Sequence, residues 1–491
     1  MAISTDTPPR VLADGTIEVS PESTGWWMDR LTKRLHDQKR LCRLNELHGW
    51  YTGKPPLPPG VKDAEDAYQA VQAYSRTNLY ALVCDAVLDR MRPIGVATSA
   101  DADATGDAEA WRMWQRMGMD RIAGDVHQRM LALGRCPVIV GPPRAGSDYP
   151  VVTDEDPRQM VVEEDPVTKA PIAALKSYRD EIAGLDLTFL YRPGRIDVAA
   201  AEAKGKASSD IPRWNPRSWE VDAERSRDLP VGLMPVEDFP NGRGLAEPEA
   251  HLDLLGRVDF MILQRLVIAT MQAFRQRAAK GLPEKDGQGN KINWAEIFSP
   301  APGAMWALPP GVELQELGQV DLTPILSAVR EDLKHIAAVT RTPMSMLDPG
   351  GENQSAEGAN LAREGLVFKV GDRISRVTPR WGRVLSTAFM WMPDTIRMGT
   401  SDSGAPVDRA DLDSIRVIWA PPERLSLTER ASAGAQAAAA GVPWATRMRD
   451  VMGFAPDDVD RMRVERDDDQ LFAAHVADAK ATAAGQPSGT A

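Results

Sequence analysis

Adjacent carboxylates are the residues of this sequence whose type and spacing could most directly perform chemistry. The pair Glu163-Glu164 and the run Asp467-Asp468-Asp469 could supply a general acid and base, or oxygen ligands for a divalent cation. Acidic runs are more often a solvated surface, so the surface interpretation is favoured. A carboxylate- or metal-dependent hydrolase that uses Asp467 and Asp468 is therefore an alternative hypothesis.

Other catalytic patterns are incomplete in the sequence. Gly205-Lys206 is followed by Ala207 instead of serine or threonine, which excludes a phosphate-binding loop there. Gly399-Thr-Ser401 lacks the second glycine of a nucleophile elbow. The six histidines are scattered without metal-ligand spacing. We expect no catalytic residue, no cofactor site, no metal site and no enzymatic activity.

A basic seam follows one side of a predicted helix near residue 370. Its residues recur every three or four positions, one position before an apolar stripe, and residues 356–392 contain six basic and three acidic residues. A solvated or salt-bridged flank is the favoured explanation. The alternatives are contact with DNA, as in a non-specific DNA-binding protein, or contact with an acidic neighbouring chain such as its segment 456–491. The seam consists of Lys369, Arg373, Arg376, Arg380 and Arg383.

Length and charge limit the classes of protein that fit. A chain of 491 residues predicts roughly three domains. With 58 basic and 70 acidic residues the net charge is -12, which excludes a protein that grips nucleic acid over its whole surface. Three widely spaced cysteines suit a reducing compartment. The best apolar run, 266–274, is shorter than the about 20 residues of a membrane span, so we expect a soluble chain made in the cytoplasm.

Hydrophobic periodicity predicts an α+β chain in which helices dominate. Short apolar runs between residues 136 and 198, separated by Asp, Pro and Gly, predict an antiparallel sheet. Alternation in 312–317 predicts a further strand. Helical patterns are predicted at 26–50, 63–91, 107–134, 247–281, 321–342 and 356–392, and in the region after residue 426.

Two prolines and a turn-rich stretch mark the ends and the bend of the long helices. Thr323 is expected to cap the helix whose first turn holds Pro324. Turn-forming residues fill 344–355, which we expect to be a mobile loop. Pro379 stands inside the pattern of 356–392 and removes one amide, so that helix is expected to kink near 376–378.

The ordered series of local sequences resembles the portal proteins of tailed bacteriophages, and most closely those of long-tailed, siphovirus-type phages of actinobacteria. No single motif is specific, but the order extends over about 45–470. The resemblance rests on the segments Tyr51-Thr-Gly-Lys-Pro-Pro, Arg76-Thr-Asn78, Trp111-Arg-Met-Trp114, Gly134-Arg-Cys-Pro-Val-Ile-Val140, Pro235-Val-Glu-Asp-Phe239, Trp419-Ala-Pro-Pro422 and Phe454-Ala-Pro-Asp-Asp458.

The resemblance implies a portal-type subunit with a mixed α/β wing, a two-helix stem, a small α/β clip, a long kinked helix and a helical crown. It implies a tunnel loop that includes Met344, Ser345, Met346, Leu347, Asp348, Glu352, Asn353 and Gln354. The implied divisions are a flexible arm (1–25), wing (26–246), first stem helix (247–281), clip (282–320), second stem helix (321–342), tunnel loop (343–355), long kinked helix (356–392), return segment with a strand to the wing (393–422), crown (423–480) and tail (481–491).

The same resemblance implies a ring, typically of twelve copies, at one capsid vertex. Double-stranded DNA would pass through it during packaging and ejection. The implied partners are further copies of the chain, the major capsid protein, the terminase large subunit, a head–tail adaptor and a scaffold protein. The implied location is the virion, after assembly in the host cytoplasm and without a membrane.

Overall fold

Helices and antiparallel sheets share the chain, which confirms the α+β class in this computed structural model. Two compact units are present and are described separately. The first comprises Met1–His48, Cys84–Glu247 and Arg363–Ala491, and the second Gly49–Val83 and Pro248–Ala362. The described residues are 9–58, 71–101, 106–203, 211–230, 232–273, 277–282, 289, 292, 313–316, 321–349, 356–401, 404–423 and 427–484.

The described segment before the first helix contains one buried anchor. Val11 and Ile17 form an isolated β-bridge, and Ile17 packs among tryptophans in the core. The flexible arm expected for 1–25 stays a prediction. Helix α1 (Thr24–Leu35) then begins at Ser23, whose Oγ accepts the amide of Trp26 at 3.1 Å.

Antiparallel strands between residues 160 and 228 form the main sheet of the first unit. Its order is β4-β5-β6-β7-β8, with β9 also paired to β7. Val161 and Leu175 pack under α1 on one face, whereas Val162 and Ala174 lie in a second core cluster. Successive residues of each strand therefore point to opposite faces of the sheet, and both faces are buried. The strands are β4 (Met160–Glu164), β5 (Pro171–Asp180), β6 (Leu185–Arg192), β7 (Arg195–Glu202), β8 (Glu220–Val221) and β9 (Arg227–Asp228).

Smaller sheets and short helices complete the N-terminal half. The strand order β10-β2-β3 forms a three-stranded sheet, and β1 pairs with the later strand β15 (Arg416–Trp419). The expected helices 26–50 and 107–134 are each broken in two, the second at Gly118, which has a positive φ. The elements are α2 (Gln38–Tyr51), α3 (Leu79–Leu88), β1 (Pro93–Ala97), α4 (Ala108–Arg116), α5 (Met119–Leu133), β2 (Arg135–Gly141), β3 (Val151–Asp154) and β10 (Val236–Pro240).

Two long helices are the main elements of the described second unit. Helix α6 (Leu252–Ala273) ends earlier than the expected 247–281, because strand β11 (Arg277–Lys280) pairs with β12 (Glu313–Glu316). Strand β12 falls within the predicted 312–317. Pairing between strands thus outweighs the helix preference of Arg-Ala-Ala-Lys. The rest of the expected clip, apart from residues 282, 289 and 292, lies outside the described residues.

Helix α7 (Thr323–Thr340) is the second of these helices, and it packs on α6. Its start differs from the expectation, because Thr323 is the first helical residue and not the cap. Asp321 Oδ1 accepts the amide of Thr323 at 2.9 Å instead. A one-turn helix, α8 (Met344–Leu347), follows where we expected a loop.

The C-terminal part begins with the longest described helix, α9 (Ala356–Met390), which passes through Pro379. Thr378 Oγ1 donates to the carbonyl of Ile374 at 2.7 Å just before the proline. The final helix reaches Ala484 and so extends into the expected tail. The remaining elements are α10 (Asp394–Arg397), β13 (Met398–Thr400), β14 (Pro406–Asp408), β15 (Arg416–Trp419), α11 (Leu427–Ala439), α12 (Trp444–Thr446) and α13 (Pro456–Ala484).

Candidate functional site

The basic seam of α9 faces the chain's own carboxylates over most of its length. Its spacing of four, three, four and three residues places all five cations on one side of the helix. Four of them contact Glu237 or Glu247, which lie in or just after β10. The structure therefore shows a salt-bridged flank for these four residues.

Glu247 is the carboxylate partner for the first part of the seam. Lys369 Nζ lies 3.5 Å from Glu247 Oε1, and Arg373 Nε donates to Oε2 at 2.9 Å. All three side chains are largely buried. Burial opposes ionisation of Glu247, but Lys369 and Arg373 outweigh it and lower the pKa of the carboxyl. Burial also lowers the pKa of Lys369, against the attraction of Glu247.

A close approach between two loops fixes the position of Glu247. The amide of Glu247 donates to the carbonyl of Leu131 at 2.8 Å, and that of Asn241 donates to Gly134 at 3.0 Å. Gly134 has a φ of +86°, and a Cβ there would stand 2.5 Å from the carbonyl oxygen of Gly244. Only glycine fits this position, so Gly134 sets the distance between the end of α5 and the loop that holds Glu247.

Glu237 holds the second part of the seam. Arg380 Nη1 donates to Glu237 Oε1 at 2.6 Å, while Arg383 donates to both oxygens at 2.8 Å. The Arg383 contact is bidentate, the geometry in which a guanidinium binds a carboxylate best. Glu237 is the second residue of strand β10. The sheet therefore positions the carboxylate, and helix α9 positions the two guanidinium groups.

Asp238, next to Glu237, belongs to the same network and was not singled out by the sequence patterns. It is fully buried, and Arg135 Nη1 lies 3.3 Å from its Oδ2. Burial raises the pKa of Asp238, although Arg135 and Arg380 favour its charged form. Burial likewise raises the pKa of Glu164, whose neighbours include Asp238. One sequence signal could have indicated Asp238. The segment Pro235-Val-Glu-Asp-Phe239 places two adjacent acidic residues among apolar ones.

Arg376 pairs with a carboxylate of its own helix, Asp372, which Arg373 also contacts in addition to Glu247. Its Nε donates to Asp372 Oδ2 at 2.9 Å, and both side chains are about half exposed. Such an i,i+4 pair at the surface contributes little stability. Arg376 is thus the seam residue that the structure leaves most accessible, and contact with DNA or a neighbouring chain stays a prediction for it.

An aromatic cluster anchors α9 near Pro379. Trp381 Nε1 donates to His127 Nε2 at 2.9 Å, and both residues are fully buried. Trp419 Nε1 donates to Thr378 Oγ1 at 2.9 Å, directly before the proline. Burial lowers the pKa of His127 to about 3, so the imidazole is neutral at neutral pH. Contacts from α5 and β15 therefore fix both sides of the position where we predict the kink.

Only part of the expected tunnel loop lies within the described residues. Met344, Ser345, Met346 and Leu347 form the turn of α8, and Leu347 is buried. Asp348 Oδ2 lies 3.1 Å from Arg330 Nε on α7. The remaining expected loop residues, Glu352, Asn353 and Gln354, lie outside the described residues.

Helices α6 and α7 are joined by a polar contact but leave apolar side chains uncovered. Arg257 Nη2 lies 2.5 Å from Asp332 Oδ1. The buried residues of α7 are Asp332, Ile336 and Thr340. On the same helix Leu326 is 47% exposed and Val339 is 48% exposed. Both side chains belong to an apolar stripe with a spacing of three and four residues, which is therefore only partly covered within one chain. The stripe consists of Leu322, Ile325, Leu326, Val329, Leu333, Ile336 and Val339.

Neither a cluster of metal ligands nor a membrane-spanning helix is present among the described residues. In that part of the chain, no group of three or more His, Cys, Asp or Glu side chains could hold a metal ion. Asp467 and Asp468 lie on the exposed surface of α13. No helix within the described ranges is both long and apolar enough to cross a membrane.

Comparisons with known proteins give distant likenesses only. No protein-family model and no curated protein matches the chain. A chain from the virion of a native gene transfer agent (GTA) particle aligns at 14% identity and TM-score 0.39, over 84% of this chain and 99% of that one. A chain from the neck of an empty GTA particle, computed with C6 symmetry, aligns at 14% identity and TM-score 0.41, over 86% and 94%.

A third solved structure gives a similar result. A chain from the neck of a native GTA particle, computed with C12 symmetry, aligns at 14% identity and TM-score 0.40, over 84% of this chain and 98% of that one. Likenesses with TM-scores below 0.5 do not by themselves establish a shared fold or function.

Proposed function

We propose that this chain is the subunit of a portal ring at one vertex of a phage-like capsid. The ring, of twelve copies in this proposal, is the passage for double-stranded DNA during packaging and ejection. The ring binds the terminase large subunit and the head–tail adaptor at different times. It also contacts the major capsid protein and a scaffold protein. It belongs to the virion after assembly in the host cytoplasm, and it has no enzymatic activity.

Incomplete burial on α7 is the observation that carries this proposal. Leu326 and Val339 stand about half exposed on a helix whose apolar stripe requires a partner. A second copy placed beside the first supplies that partner. When the contact joins two different surfaces and the rotation closes, identical copies form a ring. The ordered series of portal-like segments in the sequence supports the same arrangement.

The seam is consistent with a passage that does not grip DNA tightly. Each phosphate that a protein neutralises adds to its affinity and to its salt dependence. Here Lys369, Arg373, Arg380 and Arg383 are already engaged with Glu237 and Glu247. DNA can thus move past this helix without strong electrostatic binding. The non-specific DNA-binding alternative requires these same residues to reach phosphates, and it is less favoured.

Imaging of the purified protein tests the proposal. Negative-stain class averages are expected to show closed rings with a central opening that admits a B-form duplex. A Leu326→Asp, Val339→Asp double variant should show fewer rings, with Val464→Asp on the exposed part of α13 as a control for added charge. Uniform single-subunit particles of the unmodified protein at every concentration would overturn the proposal.

A further inference from the structure

Three carboxylates around strand β10 share their cations unequally. Glu237 accepts from Arg380 at 2.6 Å, and both of its oxygens accept from Arg383 at 2.8 Å. Glu164 Oε1 lies 3.7 Å from the same Arg380 Nη1. Asp238 Oδ2 lies 3.3 Å from a third arginine, on β2. The short contacts therefore go to Glu237, and the other two carboxyls are held more loosely.

Asp238 and Glu164 carry buried oxygens that no described protein group donates to. Both oxygens of Asp238 and Oε1 of Glu164 are buried without a hydrogen-bond partner among the described residues. Val162 and Val236 lie in one core cluster, and Glu164 and Asp238 follow them by two positions, on the same faces of their strands. A buried ionised carboxylate normally accepts hydrogen bonds. A shared proton would supply the donor that this pair lacks.

Titratable and charged groups on five elements face this pair of carboxyls. Burial raises the pKa of Asp238 and of Glu164, and Asp238 adds to the rise for Glu164. The arginines favour the charged forms but do not outweigh burial. The thiol on β2 stays neutral, because burial raises its pKa. The groups are Glu237 on β10, Arg135 and Cys136 on β2, Arg34 on α1, Arg40 on α2, and Arg380 and Arg383 on α9.

Arg380 links the protonation of the pair to the position of α9. Two carboxyls that interact in a buried site titrate as a pair, because ionisation of one opposes ionisation of the other. Once both are charged, Glu164 becomes a stronger competitor for Arg380, whose Nη1 also binds Glu237. A change of charge on β4 and β10 is therefore felt by the helix.

We propose that Asp238 and Glu164 share one proton above the pH range in which exposed carboxyls titrate, and that this proton controls how firmly α9 is held on β10. While the proton is bound, Arg380 is committed to Glu237. Loss of the proton to solvent leaves a second negative charge beside Arg380 and weakens its contact with Glu237. This pH-sensitive contact lies within one chain and does not depend on the proposed function.

Asp238→Asn, which keeps the shape of the side chain and cannot ionise, tests the shared proton. The folded unmodified protein keeps a proton that its unfolded chain has released, so this pair makes stability fall as the pH rises above about 4. In urea denaturation from pH 4 to pH 9, the unfolding equilibrium constant of the unmodified protein, divided by that of the variant, should rise by up to about tenfold per pH unit.

Asp154→Asn is the matched control on the same three-stranded sheet. It removes a carboxylate whose Oδ2 lies 2.7 Å from Arg129 Nη1, and its ratio should not rise above pH 4. If the ratio for Asp238→Asn is equally flat, Asp238 is an ordinary ion-pair partner of Arg135 and the inference is overturned.

Difference infrared spectra observe the proton directly. At pH 6, where exposed carboxyls are ionised, the unmodified protein should show the C=O band of a protonated carboxyl that Asp238→Asn lacks. Glu164→Gln should lower the pH at which this band disappears, because it removes the like charge. Identical spectra of the unmodified protein and Asp238→Asn would overturn the inference. If Asp238→Asn does not fold, an unchanged titration of the band in Glu164→Gln would overturn it instead.

Hydrogen exchange in residues 380–390 measures the hold on α9. As the pH rises, exchange should become faster in the unmodified protein than in Asp238→Asn at the same pH. Equal exchange in the two proteins at every pH would show that the proton does not control α9.

Discussion

Glu247 shows how one buried carboxylate organises its surroundings. It holds Lys369 and Arg373, accepts a hydrogen bond from Asn241 Nδ2 at 3.2 Å, and is fixed through its amide to the end of α5. A buried ion pair contributes modestly compared with apolar packing, but removing one partner leaves an uncompensated charge. The seam residues are therefore sensitive to changes in their acidic partners.

The Glu247→Gln variant tests this dependence. Neutralising the carboxylate removes the charge that Glu247 presents to Lys369 and Arg373 in a buried site, so we expect a loss of about 3–5 kcal/mol in the free energy of unfolding. Urea denaturation followed by circular dichroism measures it. Asp125→Asn, which removes the exposed i,i+4 partner of Arg121 on α5, is the control and should cost less than about 1 kcal/mol. Similar small losses for both variants would contradict this account of the seam.

His127 predicts a distinct dependence of stability on pH. In the folded protein its pKa is about 3, whereas an unfolded histidine titrates near pH 6.5. Below pH 6.5 the unfolded chain binds a proton that the folded chain does not, so this histidine makes stability fall as pH falls. The slope from this group approaches about 1.4 kcal/mol per pH unit.

The measurement compares the unmodified protein with His127→Gln between pH 7 and pH 5. His36 and His48, whose pKa values burial also lowers, are present in both proteins and cancel in the difference. The stability difference between the two proteins should therefore shrink as the pH falls. A difference that stays constant over this range would show that His127 is not excluded from protonation.

At the scale of the element, α9 joins the sheet, the aromatic cluster and the seam. Its apolar stripe and basic seam were visible in the spacing of the sequence. Which acidic residues would meet the seam was not, because Glu237 and Glu247 reach it through the folding of a distant strand and loop. Sequence periodicity describes one element, whereas pairs between elements depend on topology.

Local patterns predicted strands better than helix ends. Alternation and turn residues identified β4, β5 and β6, and the alternating 312–317 contains β12. The predicted C-terminal end of α6 was wrong. Arg277–Lys280 consists of helix-forming residues and becomes strand β11 only because it pairs with β12. Similarly, Ile17 is buried against residues far along the chain, and no local pattern in the segment before α1 reveals this.

Pro379→Ala is the prediction that belongs to α9. The change restores an amide that can bond to the carbonyl of Ser375, and Pro379 is exposed, so little packing is lost. We expect a gain of about 1–3 kcal/mol in the free energy of unfolding. Gly371→Ala, where a Cβ meets nothing within 4 Å, is a reference for a simple propensity gain of about 0.5–1 kcal/mol. If the free energy of unfolding rises no more in Pro379→Ala than in Gly371→Ala, Pro379 destabilises the helix only slightly.

Gly134→Ala tests the junction between α5 and the Glu247 loop. A Cβ would approach the carbonyl oxygen of Gly244 to 2.5 Å at a positive φ, so backbone must shift and Glu247 with it. We expect a loss of more than about 2 kcal/mol in thermal or urea unfolding. Gly118→Ala, also at positive φ but with nothing within 4 Å, should cost about 1 kcal/mol. Equal losses of stability in Gly134→Ala and Gly118→Ala would mean that the close approach of Gly134 to the carbonyl of Gly244 is unimportant.

At the scale of the whole molecule, the proposed assembly rests on the partly exposed apolar stripe of α7. Leu326 and Val339 are about half exposed there. This exposure could not be recognised from spacing alone, because a stripe in the sequence does not reveal which of its members the chain itself covers. The account therefore depends on assembly more than on any single residue.

The mass of the native assembly in solution, measured across a range of protein concentrations, tests this dependence most directly. We predict a single closed species whose mass is a fixed multiple of the 53.7 kDa chain, with twelve as the proposed multiple. A second, smaller species should appear only on dilution. A mass of one chain at every concentration, with unchanged secondary structure, would contradict the account.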